Sequence, residues 1–116
     1  QMAADAEANI WLLQNTSLKR TIGEQVETVI TLEPGEAESV HDLIVSKTGR
    51  YWVTTKSGVA FYENGAKGFV KRNITLPLHQ NSEVTCLHED ADGMIWVGTM
   101  GDGIFMINES NGQVQH

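Results

Sequence analysis

One cysteine, two prolines and eight Lys plus Arg are all that 116 residues contain of these types. Cys86 has no partner within the chain, so a disulfide framework is excluded and either redox compartment fits. Fifteen Asp plus Glu outweigh the basic residues to a net charge of −7, and adjacent basic residues occur as Lys19-Arg20 and Lys71-Arg72. Surfaces that track phosphates need a basic patch, so nucleic acid is not an expected partner. No run of eighteen apolar residues occurs and no charged-then-apolar leader opens the sequence. Neither a membrane-spanning helix nor a signal peptide is therefore expected in these residues, nor direct membrane insertion by them. Helical periodicity is nearly absent as well.

What remains is a chain 41% hydrophobic, sufficient for a core. Its apolar residues alternate or run in short blocks rich in Val, Ile, Thr and aromatics, as strands require. The clearest stretch runs from Glu83 to His116, with apolar runs at Val84–His88, Met94–Thr99, Ile104–Asn108 and Val114–His116. Asp-Ala-Asp-Gly, Gly-Asp-Gly and Ser-Asn-Gly separate them, supplying residues that tolerate positive φ in tight turns. This order predicts one four-stranded antiparallel meander.

The meander recurs. Val40–Ser46, Arg50–Thr55, Val59–Glu63 and Phe69–Leu76 repeat it, and the pairs Val40/Val84, Gly49/Gly93 and Trp52/Trp96 all lie 44 residues apart. A fainter copy carries Trp11, with strands expected at Ile10–Gln14, Leu18–Ile22 and Val26–Leu32. The helix-favouring residues 1–8 fall, by this register, on the end of an innermost strand and its turn, and register outweighs a local propensity of tenths of a kcal/mol per residue. Four strands per repeat at a period of about 40 to 50 residues is the pattern of propeller blades. The expected fold is all-β: a partial β-propeller of about three blades, at 1–35 with the first strand mostly missing, 36–80 and 81–116. Pro34 and Pro77 punctuate the repeat ends.

Several residues invite a chemical reading. Trp11, Trp52 and Trp96 share one repeat position, which predicts packing between blades, and Gly49 and Gly93 share the turn position. In Arg50–Thr55, Trp52 is expected on one face and Tyr51, Val53 and Thr55 on the other. His88, Glu89, Asp90 and Asp92 suggest a metal or acid/base group, but neighbouring strand residues point to opposite faces, and Asp90 and Asp92 suit a hairpin turn. A calcium loop would need further ligands that do not follow. No metal, cofactor or catalytic residue is expected. Cys86, two residues after Val84, is expected to be a small core residue. Propellers bind at one mouth of the channel, lined by the loops entering the innermost strands and those joining second to third strands. The candidate ligand-binding residues are therefore His79, Gln80 and Asn81, Met100, Gly101 and Asp102, and Lys56 and Ser57 of the preceding repeat.

The third repeat resembles the repeat of two-component regulator propellers through Val84, Leu87, Glu89, Asp90, Asp92, Gly93, Ile95, Trp96, Val97, Gly98, Thr99, Gly101, Gly103 and Ile104. The connector Leu78–Val84 is similar to that family's link between blades. The second repeat follows with Val40, Gly49, Trp52, Val53, Thr55 and Gly58, departing at Thr54 where the pattern has Gly, and the first keeps Ile10-Trp11. The resemblance implies a sensor whose extracytoplasmic, periplasmic propellers precede a membrane span and a histidine kinase. It also implies a dimeric parent, remaining blades as partners, and a small-molecule or glycan ligand. Alternatives are a scaffold for protein contacts, which predicts an exposed apolar patch, and a polysaccharide lyase or hydrolase, which needs converging acid/base groups. Any kinase activity would reside elsewhere in such a parent, and the segment itself is expected not to be an enzyme.

Overall fold

A computed structural model describes residues 2–4, 10–14, 17–22, 25–31, 40–56, 58–65, 68–80 and 82–116. These form three four-stranded antiparallel sheets, and no helix occurs among the described residues. The first sheet contains β1 (Met2–Ala4), β2 (Ile10–Gln14), β3 (Ser17–Ile22) and β4 (Gln25–Thr31). The second contains β5 (Leu43–Val45), β6 (Tyr51–Thr55), β7 (Gly58–Gly65) and β8 (Gly68–Thr75). The third contains β9 (Glu83–Glu89), β10 (Met94–Met100), β11 (Ile104–Asn108) and β12 (Val114–Gln115). In each sheet the strands pair in chain order, the meander that the turn residues predict. Pro34, Ser57 and Asn81 lie outside the described residues.

The turns form as their residues require. Gly49 and Gly93, at matching repeat positions, have φ of +88° and +81°, a region that residues with a Cβ rarely occupy. Asp90 fixes its turn twice over: its Oδ1 accepts the amides of Asp92 (2.9 Å) and Met94 (3.0 Å), which is Asx-turn chemistry.

Two apolar layers lie between the sheets. Trp11, Leu18, Leu43, Tyr51, Val53, Ala60 and Tyr62 fill the first, between sheets one and two. Trp52, Val59, Leu76, Val84, Leu87, Ile95, Val97, Phe105 and Ile107 fill the second, between sheets two and three. The pleat of β6 therefore splits as expected, Trp52 facing forward and Tyr51 and Val53 backward. A sheet apolar on both faces cannot bury them alone, and stacking along the chain solves this for sheet two. The innermost strands β1, β5 and β9 adjoin in succession, as propeller blades do around a channel.

Three expectations need correction. The strand expected at Val40–Ser46 is only Leu43–Val45, because groups at its start bond elsewhere. The Thr54 hydroxyl accepts the His41 amide (2.6 Å), and the Asp42 carboxylate accepts Leu43 N (2.9 Å) and, across the interface, Leu87 N (2.8 Å). Cys86 is exposed rather than a core residue. A bulge skips Thr85, so that Cys86 pairs with Gly98 and Val84 with Thr99. The extra residue inverts the pleat, leaving Val84 and Leu87 inward and Cys86 outward. Finally, Trp11 and Trp52 are fully buried but Trp96 is 39% exposed. Its register matches theirs, yet no described sheet covers its face, which also carries exposed Ile104.

Candidate functional site

The predicted mouth comprises the connector entering β9 and the turn joining β10 to β11. The structure brings two of its candidate residues into direct contact. Asp102 Oδ1 pairs with the His79 ring Nδ1, and its Oδ2 accepts the His79 backbone N–H at 2.8 Å. Local folding delivers both partners. The connector closes a turn through Ser82 N–H to His79 C=O (3.0 Å). Across from it, the Thr99 hydroxyl accepts the Asp102 N–H (3.0 Å) and donates to the Gly103 carbonyl (2.7 Å). Ser82 Oγ, 3.1 Å from the Met100 carbonyl, stitches the two loops again. His116 stacks on Phe105 at 4.4 Å and sets its Nε2 2.5 Å from the Asp102 carbonyl oxygen.

The two side chains of the pair differ sharply in exposure, 2% for Asp102 and 86% for His79. A shielded carboxylate thus holds one nitrogen of an imidazole whose other nitrogen faces solvent, ready to donate or accept a hydrogen bond. The Ser82 hydroxyl and the His79 ring and backbone N–H groups hold the Asp102 carboxyl down to about 2. The hydrogen bond that the His79 ring donates to Asp102, then the charge of that carboxylate, raises His79 above 6.5.

His79 is raised on folding, so its contribution is complete below its unfolded value near 6.5 and is lost as pH rises through its higher folded value. Asp102 is lowered, so its contribution is present above about 3.8 and disappears as pH falls towards about 2. The connector is expected to be tied most firmly between these limits. His79→Ala is expected to flatten the alkaline fall in protection of the Ser82 amide, measured by hydrogen exchange across pH with correction for intrinsic rates. An unchanged profile would show that the pair does not hold the loop.

The remaining candidates are less closely engaged. Gln80 and Met100 are exposed, Gly101 has φ of +121° with Ser82 directly over it, and Lys56 makes no hydrogen bond or ion pair among the described residues. Ser57 and Asn81 lie outside the described residues. Asp90 and Asp92 form a turn instead of a metal site, and no group of three or more His, Cys, Asp or Glu that could hold a metal occurs among the described residues. Asp90 Oδ2 takes the Trp96 indole N–H at 2.7 Å, and this bond, followed by that from Met94 N–H, lowers its pKa.

Sequence reasoning missed the opposite end of the stack. There the β5–β6 turn of sheet two meets the β9–β10 and β11–β12 turns of sheet three around a polar cleft of about 240 Å³. Glu109 is its buried anchor, accepting the Trp52 indole N–H and the Thr48 hydroxyl, each at 2.6 Å. Its carbonyl accepts Arg50 Nη1 at 2.8 Å, and Glu89 accepts Lys47 N–H with both oxygens, at 3.0 and 3.1 Å. No signal marked Glu109 in the sequence, where it stands between Asn108 and Ser110 and reads as an ordinary turn residue.

Three stacked meanders with their largest aromatics at one repeated position define this as β-propeller material. Residues 78–101, which span the connector carrying His79, strand β9, the Asp90 turn and strand β10, match the family model described as two component regulator propeller. No curated protein matches the chain significantly.

Proposed function

We propose that these sheets belong to the sensing region of a two-component regulator, extracytoplasmic in location, and that the mouth bearing His79 and Asp102 binds a small polar ligand. The observation that carries this reading is an exposed imidazole, oriented by a shielded carboxylate, within the stretch that matches the regulator propeller model. The imidazole can engage a hydroxyl or an acidic group of a ligand, and glycans or their breakdown products offer both. Ligand contact at His79 would pull on Asp102 and hence on both loops, passing a signal to the remaining blades and to a dimeric parent. This reading gives the segment no catalytic step.

The test is calorimetric titration of the complete polypeptide with oligosaccharides. Saturable binding that weakens by about tenfold or more in His79→Ala supports the mouth, since a hydrogen bond to a charged group contributes about 1.5–3 kcal/mol. Binding indifferent to His79 would move the ligand elsewhere, and no saturable heat with any glycan would remove that ligand class. A protein-interaction scaffold is the second reading, favoured by exposed Trp96, Met100 and Ile104.

A further inference from the structure

We infer that the polar cleft between sheets two and three, at the end opposite His79, is a binding site for a small zwitterion, an α-amino acid. The polar groups around the cleft divide into those already satisfied and those that are not. Glu109 is spent on Trp52 and Thr48, and Arg50 is divided between the Glu109 carbonyl and Glu63, 3.4 Å from its Nε. Both therefore belong to the frame. Lys47, Asp92 and Asn108 are different.

Lys47 has no ion-pair partner among the described residues, and its Nζ reaches only the Ala91 carbonyl at 3.4 Å. The Asp92 carboxylate has no hydrogen-bond or ion-pair partner among the described residues. An unpaired cation and an unpaired anion thus line one cleft. Asn108 Oδ1 accepts the Ser110 amide at 3.0 Å, which fixes the amide's orientation and leaves the Nδ2 donor available. Glu89 spends one lone pair per oxygen on Lys47 N–H and keeps others.

A ligand carboxylate would take Lys47 Nζ and Asn108 Nδ2, and its ammonium would take Asp92 with support from Glu89. Simple ions fit less well. A bare anion meets Glu89 and Asp92 in a chain of net charge −7, and a bare cation meets Lys47 and Arg50. The volume of about 240 Å³ is below the roughly 300–1,000 Å³ of pockets for drug-sized ligands, which limits the occupant to a small molecule. The site is assembled by two consecutive sheets, so occupancy would also stiffen their junction.

The experiment titrates the complete polypeptide with L-alanine by calorimetry, using N-acetyl-L-alanine and L-alanine amide as probes lacking one charge. L-alanine is expected to bind saturably. Each single-charge probe, and each of the surface variants Lys47→Met and Asp92→Asn, is expected to weaken binding by about tenfold or more. His79→Ala should leave this binding unchanged, which separates the cleft from the opposite mouth. Absence of saturable L-alanine binding would overturn the inference. So would equal binding of either single-charge probe, which would mark a simple ion site, or indifference to both variants, which would place the ligand elsewhere.

Discussion

Trp52→Ala is expected to destabilise the polypeptide that carries these sheets by about 3–5 kcal/mol, the range for truncating a fully buried large aromatic. Trp96→Ala, at the matching position one repeat later, is expected to cost about 1 kcal/mol where its face stays open and as much as Trp52→Ala where a further sheet covers it. The difference arises from surroundings alone. Trp52 lies at zero exposure against Phe61, ring centroids 4.7 Å apart, under the cover of sheet three. Trp96 is 39% exposed and gives its indole N–H to Asp90 in its own sheet. Paired urea unfolding curves read the contrast directly. Equal losses would mean that Trp96 is covered in the complete polypeptide as thoroughly as Trp52, with a further sheet seated on it.

The second large effect concerns the latch beneath Trp52. Glu109→Ala removes the acceptor for the indole N–H and leaves that buried donor unpaired, at an expected cost of about 1–3 kcal/mol. The Thr48 hydroxyl, in an exposed residue, can turn to water and adds little. Glu109→Gln keeps a carbonyl that can serve the indole, so its loss should be the smaller. In a double-mutant cycle with Trp52→Phe, the two substitutions should be strongly non-additive, because each deletes the same bond. Additive losses from denaturant midpoints would show that Glu109 acts through Arg50 or the turn alone.

How much of this could be read from the sequence follows from the range of the forces involved. Strand order, the turn glycines and the opposite facing of Tyr51 and Trp52 depend on near neighbours and a two-residue pleat, so local pattern sufficed. The mouth was legible because meander topology sends the connector and the β10–β11 turn to the same end, where His79 and Asp102 meet. The Glu109 latch was not legible, since it joins residues 57 apart and depends on how two sheets stack. The cleft was hidden for the same reason: Lys47, Asp92 and Asn108 each look like solvated turn residues until three turns converge. Trp96 misled because identical register does not guarantee identical cover. Cys86 misled because one skipped residue changes the facing of everything before it.

That skipped residue makes the bulge a feature that a single codon can edit. Val84 and Leu87 both point inward although an odd number of steps separates them, so the bulge that absorbs Thr85 is what keeps both halves of β9 in tune with sheet two. Loss of Thr85 would leave Val84 and Leu87 two steps apart, so that regular alternation keeps both inward without a bulge. What deletion removes is the bulge and its added local twist, not the burial of either side chain. Length and side-chain identity are both loosely constrained at this point, and tolerance to substitution at Thr85 should extend to its deletion.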